Sequence, residues 1–245
     1  MLLRVVDSGI VDPGRSVAVD EAMLMARHLR IVPNSLHLYV RDRPTVSLGY
    51  FEKEEEAVNL EVAKARNVAI VRRASGGSAI YTDPGQLIYA LVIDNELAPE
   101  SPEEMFKLTC GGIVKALDSL GLKADFKPVN DVLVNGRKIS GSAQLRRWDV
   151  VLQHGTLMVD TDIDLMLEVL RTRKKGRPKD SVTSLAKELG EVPTMERVKH
   201  AIVEGISGVF GMEPMNGVLS HYEKKTVAAL ISGKVRNEPP VGQVT

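Results

Sequence analysis

Asn135–Gly136 stands between two short extended runs, in NDVLVNGRKISGSAQ (residues 130–144), and this pair restricts the local fold more tightly than any other feature of the chain. An Asn-Gly pair between strand-forming residues predicts a two-residue type I′ turn, because both turn positions need positive φ and these residue types tolerate it best. The turn sets a register: Val134 opposite Arg137, Leu133 opposite Lys138, Val132 opposite Ile139, and Asp131 opposite Ser140. Alternation then places Val132, Val134 and Ile139 on a core face, with Asp131, Leu133, Lys138 and Ser140 on the other. A lysine so placed is either an ordinary solvated side chain or a cation on a rigid mount, and the strand pattern permits both.

The rest of the chain alternates strands and helices irregularly. Residues 2–6 read as a strand, DPG at 12–14 as a turn, and Ser16 as the cap of a helix reaching His28. LHLYVRDRPTVSLGY reads as a hairpin-like strand pair broken near Pro44. EKEEEAVNLEVAKARN is a solvated charged stretch whose second half suits a short helix. NVAIVRR is a strand entering a glycine-rich loop, and the apolar LIYALVID is a buried central strand. Ser101, Pro102 and Glu104 mark a capped helix start with a capping box, carrying the stripe Phe106, Cys110, Ile113, Leu117, Leu120 up to the stop at Gly121. VVLQHGTLMV is a further strand. Asp162 caps the next helix, because the spacing of Asp160, Asp162 and Asp164 does not continue into a calcium loop. RTRKKGRPKDS from Arg171 is a basic loop, solvated or in contact with an acidic partner or phosphate. The remainder reads as helical, with Thr194 capping one helix and Ser220 with Glu223 forming a capping box for another. No fixed-period repeat is present. The pattern indicates an α/β (α+β) fold with a mixed, largely antiparallel sheet flanked by helices. A single domain over residues 1–245 is expected, with a loose tail over 234–245.

Charge and cysteine content narrow the function classes. The chain carries 32 basic and 32 acidic residues, so nothing favours nonspecific binding to nucleic acid or to anionic lipid. Cys110 is the one cysteine, which excludes an intrachain disulfide framework and fits a reducing cytoplasm. No apolar run has the length of a membrane span or a signal peptide.

Two further segments bear chemistry. RRASGGSAIYTD (residues 72–83) has neither dinucleotide-binding nor P-loop spacing, yet adjacent glycines after a strand expose backbone amides to an anion or polar ligand, or simply make a tight turn. Arg72 and Arg73 should point to opposite faces, so that one reaches a ligand. In QHGT, His154 lies in an apolar strand, either as a satisfied core histidine or beside a small-molecule site.

Taken together, RRASGGSAIYTD, NDVLVNGRKISGSAQLRR and LQHGTLMVDTD, in this order and separation, resemble the lipoate–protein ligase A family; SVAVDEAML and DSVTSLAKELG also fit. The resemblance runs to about residue 212 and implies the biotin/lipoyl ligase fold, related to class II aminoacyl-tRNA synthetase catalytic domains. It implies ATP-dependent, Mg²⁺-assisted activation of lipoate or octanoate. Transfer then follows to a lysine of lipoyl-domain proteins of 2-oxoacid dehydrogenases or of glycine-cleavage H protein. By that resemblance Arg72, Ser75, Gly76 and Gly77 line the acyl and phosphate region. Ser78, Ala79, Asn130, Ser142 and Ala143 meet the nucleotide, and Asp131 the magnesium. Lys138 is the catalytic cation, contacting carboxylate and α-phosphate, and His154 and Gly155 border the acyl pocket.

The sequence also departs from the family pattern. Ser78 replaces a usual third glycine, Thr82 a usual histidine, and Phe51 follows Tyr50 where glutamine is common. The C-terminal domain that supports adenylate formation in many ligases is not expected within 245 residues. The resemblance therefore points to the archaeal split form, in which a separate small protein supplies it. One rival is an octanoyltransferase using acyl-carrier protein. It would need a nucleophilic cysteine near Phe126, and Cys110 is expected to be a buried hydrophobe instead. The other rival is a non-catalytic lipoyl-domain-binding protein.

Overall fold

The structure is a computed structural model and describes residues 1–171 and 181–234. The chain opens with β1 (Leu2–Val11), α1 (Pro13–His28), β2 (Ser35–Arg41), β3 (Thr45–Leu48), the short helices α2 (Glu54–Ala57) and α3 (Leu60–Ala65), β4 (Ala69–Arg72) and β5 (Ile80–Thr82). The middle holds β6 (Gln86–Asp94), α4 (Pro102–Ser119), β7 (Ala124–Lys127), β8 (Asp131–Val134), β9 (Arg137–Arg147) and β10 (Val150–Met158). It closes with α5 (Ile163–Val169), α6 (Leu185–Leu189), α7 (Met195–Phe210), β11 (Glu213–Gly217) and α8 (His221–Ile231).

One eight-stranded sheet dominates, in the order β11-β1-β2-β6-β10-β9-β8-β7, beside a three-stranded sheet β4-β3-β5. β1 pairs in parallel with β11 and β2, and every other neighbour in the large sheet is antiparallel. The expected mixed, largely antiparallel α/β architecture is present. LIYALVID forms the fully buried β6 between β2 and β10, as its unbroken apolar run implies.

Helices cover both faces. α4 and α7 pack on one, over a core that includes Leu87, Tyr89, Leu91, Val132, Val134, Ile139 and Val151. α1 and α8 lie on the other, over Ala90, Val92, Leu145 and Leu152. The α4–α7 crossing is close because neither helix has a side chain at the contact. A Cβ on Gly205 would stand 2.2 Å from the Gly112 carbonyl oxygen. α8 is held to β1 by the buried Arg4–Glu223 ion pair, and Glu223 also completes the expected capping box with Ser220.

Several expectations are corrected. α1 begins at Pro13 with Asp12 as its cap, its carboxylate accepting from Gly14 and Arg15 amides; Ser16 is buried in the first turn and donates to the Pro13 carbonyl. Pro13 fits the first helical position, where no amide is needed, so the turn signal DPG was a helix start. β2 and β3 are no hairpin. Both edges of β2 are taken, by β1 and β6, and β3 turns away into the small sheet. At α4 the Ser101 hydroxyl does accept the Glu104 amide, without the reciprocal half of a box. β11 lies in a region read as helical; it is a short exposed edge strand whose sequence, EPMNG, carries no strand pattern. Residues 172–180 of the basic loop and 235–245 of the tail lie outside the described residues.

Candidate active site

The Asn135–Gly136 turn has both residues at positive φ, 50° and 73°, as a type I′ turn requires. Val134 opposes Arg137 and Leu133 opposes Lys138 as expected. Beyond that the register shifts: Val132 faces Ser140 and Asp131 faces Gly141, leaving Ile139 as a bulge. Ile139 and Ser140 are therefore both buried, and Ser140 does not share the lysine's face as strict alternation required. The extra residue brings Gly141 beneath the Lys138 side chain. A Cβ on Gly141 would lie 2.6 Å from Lys138 Nζ and 3.2 Å from Asp131 Oδ1. Across this bare backbone the Lys138 ammonium meets the Asp131 carboxylate at 2.5 Å, and both side chains remain partly accessible. Lys138 is therefore a mounted cation in an ion pair, not a freely solvated strand lysine. Its carbonyl also accepts the Thr183 amide, which ties the strand to the segment before α6.

Asn130 closes the mouth of the hairpin. Its side-chain amide donates to the Ser142 carbonyl, and its own carbonyl accepts the Ser142 amide. Ala143 pairs with His154, and Ser142 with Gly155, on β10. Gly155 allows close stacking within the sheet, since a Cβ there would meet Tyr89 Oη at 2.4 Å and the Gly141 carbonyl at 2.9 Å.

The two arginines at the end of β4 divide as alternation predicts. Arg72 is exposed, and its guanidinium donates to the carbonyls of Gly49, Tyr50 and Glu52. Arg73 is buried and shapes the glycine loop, donating to Ser75 Oγ and to the carbonyls of Ser47, Gly76 and Ser78. Burial pulls its pKa down to about 10. Gly77, at φ +88°, and Ser78 stand exposed at the loop tip, with Ala79 half-buried. Ser75 is buried and bonded to His154 Nε2 at 2.6 Å, so the glycine loop and β10 meet directly.

Behind His154 lies a polar group that sequence reasoning missed. Asp20 of α1 stands 3.6 Å from His154 Nδ1, accepts a bond from His37 Nδ1 at 2.8 Å, and accepts the Tyr39 hydroxyl at 3.2 Å. Burial alone would raise the Asp20 pKa, but the adjacent His154 imidazole and the hydrogen bond from His37 outweigh it and bring it down to about 2. The available signal was an acidic pair inside the otherwise apolar helix start SVAVDEAML. Buried acids of this kind need partners, which come from β2 and β10 for Asp20 and from Arg147 of β9 for Glu21.

Cys110 lies on α4, behind the sheet, 1% exposed, with its sulfur 4.0 Å from Ser142 Oγ. Burial pushes its thiol up to about 11. Among the described residues, no three His, Cys, Asp or Glu side chains converge to hold a metal ion. None of the described helices is long and apolar enough to cross a membrane.

A helix-covered mixed sheet, with an ion-paired lysine on β9 and a glycine loop docked on His154 of β10, defines a catalytic domain of the lipoate ligase and biotin ligase fold. The comparisons with known proteins give the family. Residues 12–207 match the lipoyl protein ligase A/B catalytic domain, and the chain belongs to that family. It is 30% identical to octanoyltransferase LipM of Kyrpidia tusciae, over 96% of this chain and 97% of the relative. It is 27% identical to octanoyltransferase LipM of Clostridioides difficile, over 96% of each. Among solved structures it resembles a bipartite lipoate protein ligase from Thermoplasma acidophilum, studied with its E2 lipoyl domain (TM-score 0.82, 25% identity, 95% of this chain and 92% of the other). A lipoate-protein ligase A bound with ATP has the same fold (TM-score 0.83, 24% identity, 95% of each chain).

Proposed function

We propose that this protein transfers an octanoyl group from an acyl-carrier protein thioester to the ε-amine of a lysine. The acceptor is a lipoyl-domain protein or a glycine-cleavage H-type protein, and the reaction takes place in the cytoplasm. The observation that carries the acyl-transfer reading is the Lys138 ammonium, fixed by Asp131 over Gly141 on the face that also holds His154. The octanoyl thioester is supported by the octanoyltransferase names of relatives that align over nearly the full chain.

Attack of an amine on a thioester places negative charge on the carbonyl oxygen. A cation already held in position stabilises that charge without reorganising at the moment of reaction. In this proposal Lys138 does so while the thiolate leaves. Arg72, Ser75, Gly76, Gly77, His154 and Gly155 border the acyl group. Cys110 takes no part as a nucleophile: it lies on the far face of the sheet with its thiol held protonated by burial. Transfer is then direct from donor to acceptor, and Cys110→Ser is expected to keep full activity. Loss of transfer in a folded C110S variant would require an acyl-cysteine step instead.

The same cation favours a second reading, activation of octanoate or lipoate by ATP, because Lys138 can bridge a carboxylate and an α-phosphate. Asn130, Ser142 and Ala143, with Ser78 and Ala79, would then face the nucleotide. The donor set fits Mg²⁺ only thinly: Asp131 offers one carboxylate, already paired with Lys138, so the phosphates and water would supply most ligands. When bound, the ion would neutralise phosphate charge. This reading includes a separate accessory protein carrying the C-terminal domain.

One experiment separates the two. Apo lipoyl domain is incubated with the protein and octanoyl-carrier protein without ATP, or with octanoate, ATP and Mg²⁺, each with and without a candidate accessory protein. Its mass is then read. Octanoylation in the first mixture is the expected result. Modification only where ATP is present would overturn the thioester reading and establish the ligase.

A further inference from the structure

The buried group behind the site suggests where the acceptor's proton goes. The acceptor lysine arrives as an ammonium ion and must lose a proton before it can attack. The two charged groups nearest the reaction are engaged with each other, Asp131 with Lys138 at 2.5 Å. His154 is differently placed. Arg73 Nε–H donates to Ser75 Oγ at 3.0 Å, which leaves the Ser75 hydroxyl proton free to point at its other neighbour, His154 Nε2, 2.6 Å away. With the hydroxyl proton so directed, His154 Nε2 is the bare, accepting nitrogen. The ring proton sits on Nδ1, which faces the Asp20 carboxylate at 3.6 Å. At that distance the contact is electrostatic rather than a hydrogen bond.

We propose, building on the acyl-transfer reading, that His154 is the base that receives the acceptor lysine's proton. Ser75 is the hydroxyl through which it passes, and Asp20 is the positioning residue that keeps His154 in the accepting tautomer. The ε-ammonium gives a proton to Ser75 Oγ as Ser75 gives its own to His154 Nε2. The imidazolium so formed is stabilised by the Asp20 carboxylate. The free amine attacks the acyl carbon, the C–N bond forms and the donor C–S bond breaks. The departing thiolate takes the second proton from nitrogen, and His154 returns the first to solvent.

Ser75 is buried, but the residues that follow it are not: Gly76 is half-buried with open space beside its backbone, and Gly77 and Ser78 are exposed, so the acceptor amine is proposed to reach Ser75 from this side. Charged and titratable groups surround this line: Asp20 from α1, His37, Tyr39 and Arg41 from β2, and Arg73 from the glycine loop with Glu52 acting on it; the Asp131–Lys138 pair lies on the same face of the sheet, on β8 and β9. Asp20 itself accepts bonds from His37 and Tyr39, which fix its carboxylate from behind.

The test uses the full chain, octanoyl-carrier protein and apo lipoyl domain. Asp20→Asn is expected to lower kcat about 10²-fold, the size of a lost general-base contribution, with KM unchanged and the acid limb of the kcat–pH profile displaced. Ser75→Ala, which costs Arg73 Nε–H its acceptor but leaves that guanidinium its bonds to the Ser47, Gly76 and Ser78 carbonyls, is expected to give the same loss and guards against misfolding of the Asp20 variant. Nitrogen-15 NMR of the wild-type imidazoles at neutral pH should show His154 protonated on Nδ1 and bare on Nε2. The opposite tautomer, or folded Asp20→Asn and Ser75→Ala variants with wild-type kcat and an unmoved acid limb, overturns this inference alone. Failure of the wild-type chain to modify the acceptor from any donor overturns the functional reading and the inference together.

Discussion

At the scale of the residue, the site depends on a side chain that is not there. Gly141 leaves room for Lys138 to lie across the strand to Asp131. In Gly141→Ala the new methyl would displace the flexible end of Lys138 rather than backbone. We expect stability to change by less than about 1 kcal/mol, as for a strained but relaxable contact. We expect acyl transfer to fall about 10²-fold through misplacement of the cation. Mass spectrometry of the acceptor and a denaturant titration measure the two effects. A variant with full activity would show that Lys138 does not need this resting position. Lys138→Ala should keep its fold and lose roughly 10²- to 10³-fold or more in transfer rate, the usual worth of a preorganised charge. Full activity in that variant would remove Lys138 from the mechanism. The sequence disclosed both residues and the carboxylate. It did not disclose the bulge, because Ile139 and Ser140 carry nothing that distinguishes a bulged strand from a regular one.

At the scale of the element, most of the fold was legible where a local signal dominates. The Ser220–Glu223 box, the Asp162 and Thr194 caps and the Asn-Gly turn all act within a few residues, and the structure has them all. Reading failed where a tertiary partner decides. β2 and β3 look like a hairpin until the places beside β2 are taken by β1 and β6. β11 is a strand only because β1 offers it an edge. The α4–α7 contact belongs to this scale as well. Gly205→Ala forces a methyl against the Gly112 carbonyl and should cost about 1–3 kcal/mol, as overpacking does, since backbone must move to accept it. A thermal melt reads this, and the crossing lies on the face of the sheet opposite Lys138. Unchanged stability would mean that the helices separate freely.

At the scale of the whole molecule, the buried Asp20 couples the site to acid stability. Its folded pKa lies below the unfolded value, so the folded protein binds the proton less readily. The stabilisation is complete above the ordinary carboxylate pKa of 3.8 and is lost as pH falls from there to about 2. The loss is on the order of 2 kcal/mol across that window. Unfolding free energies measured from pH 5 to pH 2 should fall in the wild type and fall less in Asp20→Asn; parallel slopes would contradict this account. The sequence did not reveal the coupling, since His37, His154 and Asp20 are far apart along the chain and meet only when α1 is laid on the sheet. The bulge at Ile139 has a consequence at this scale too. Even-numbered residues of β9 face the site up to Lys138, whereas from Gly141 onward the odd-numbered ones do. The strand thus contains a change of parity that reconciles two independent rulers, the tight turn at one end and the pairing with β10 at the other. Removing a single residue from this stretch would not merely shorten it. It would turn either Lys138 or the whole run toward Arg147 to the opposite side of the sheet, so this strand tolerates no odd change in length.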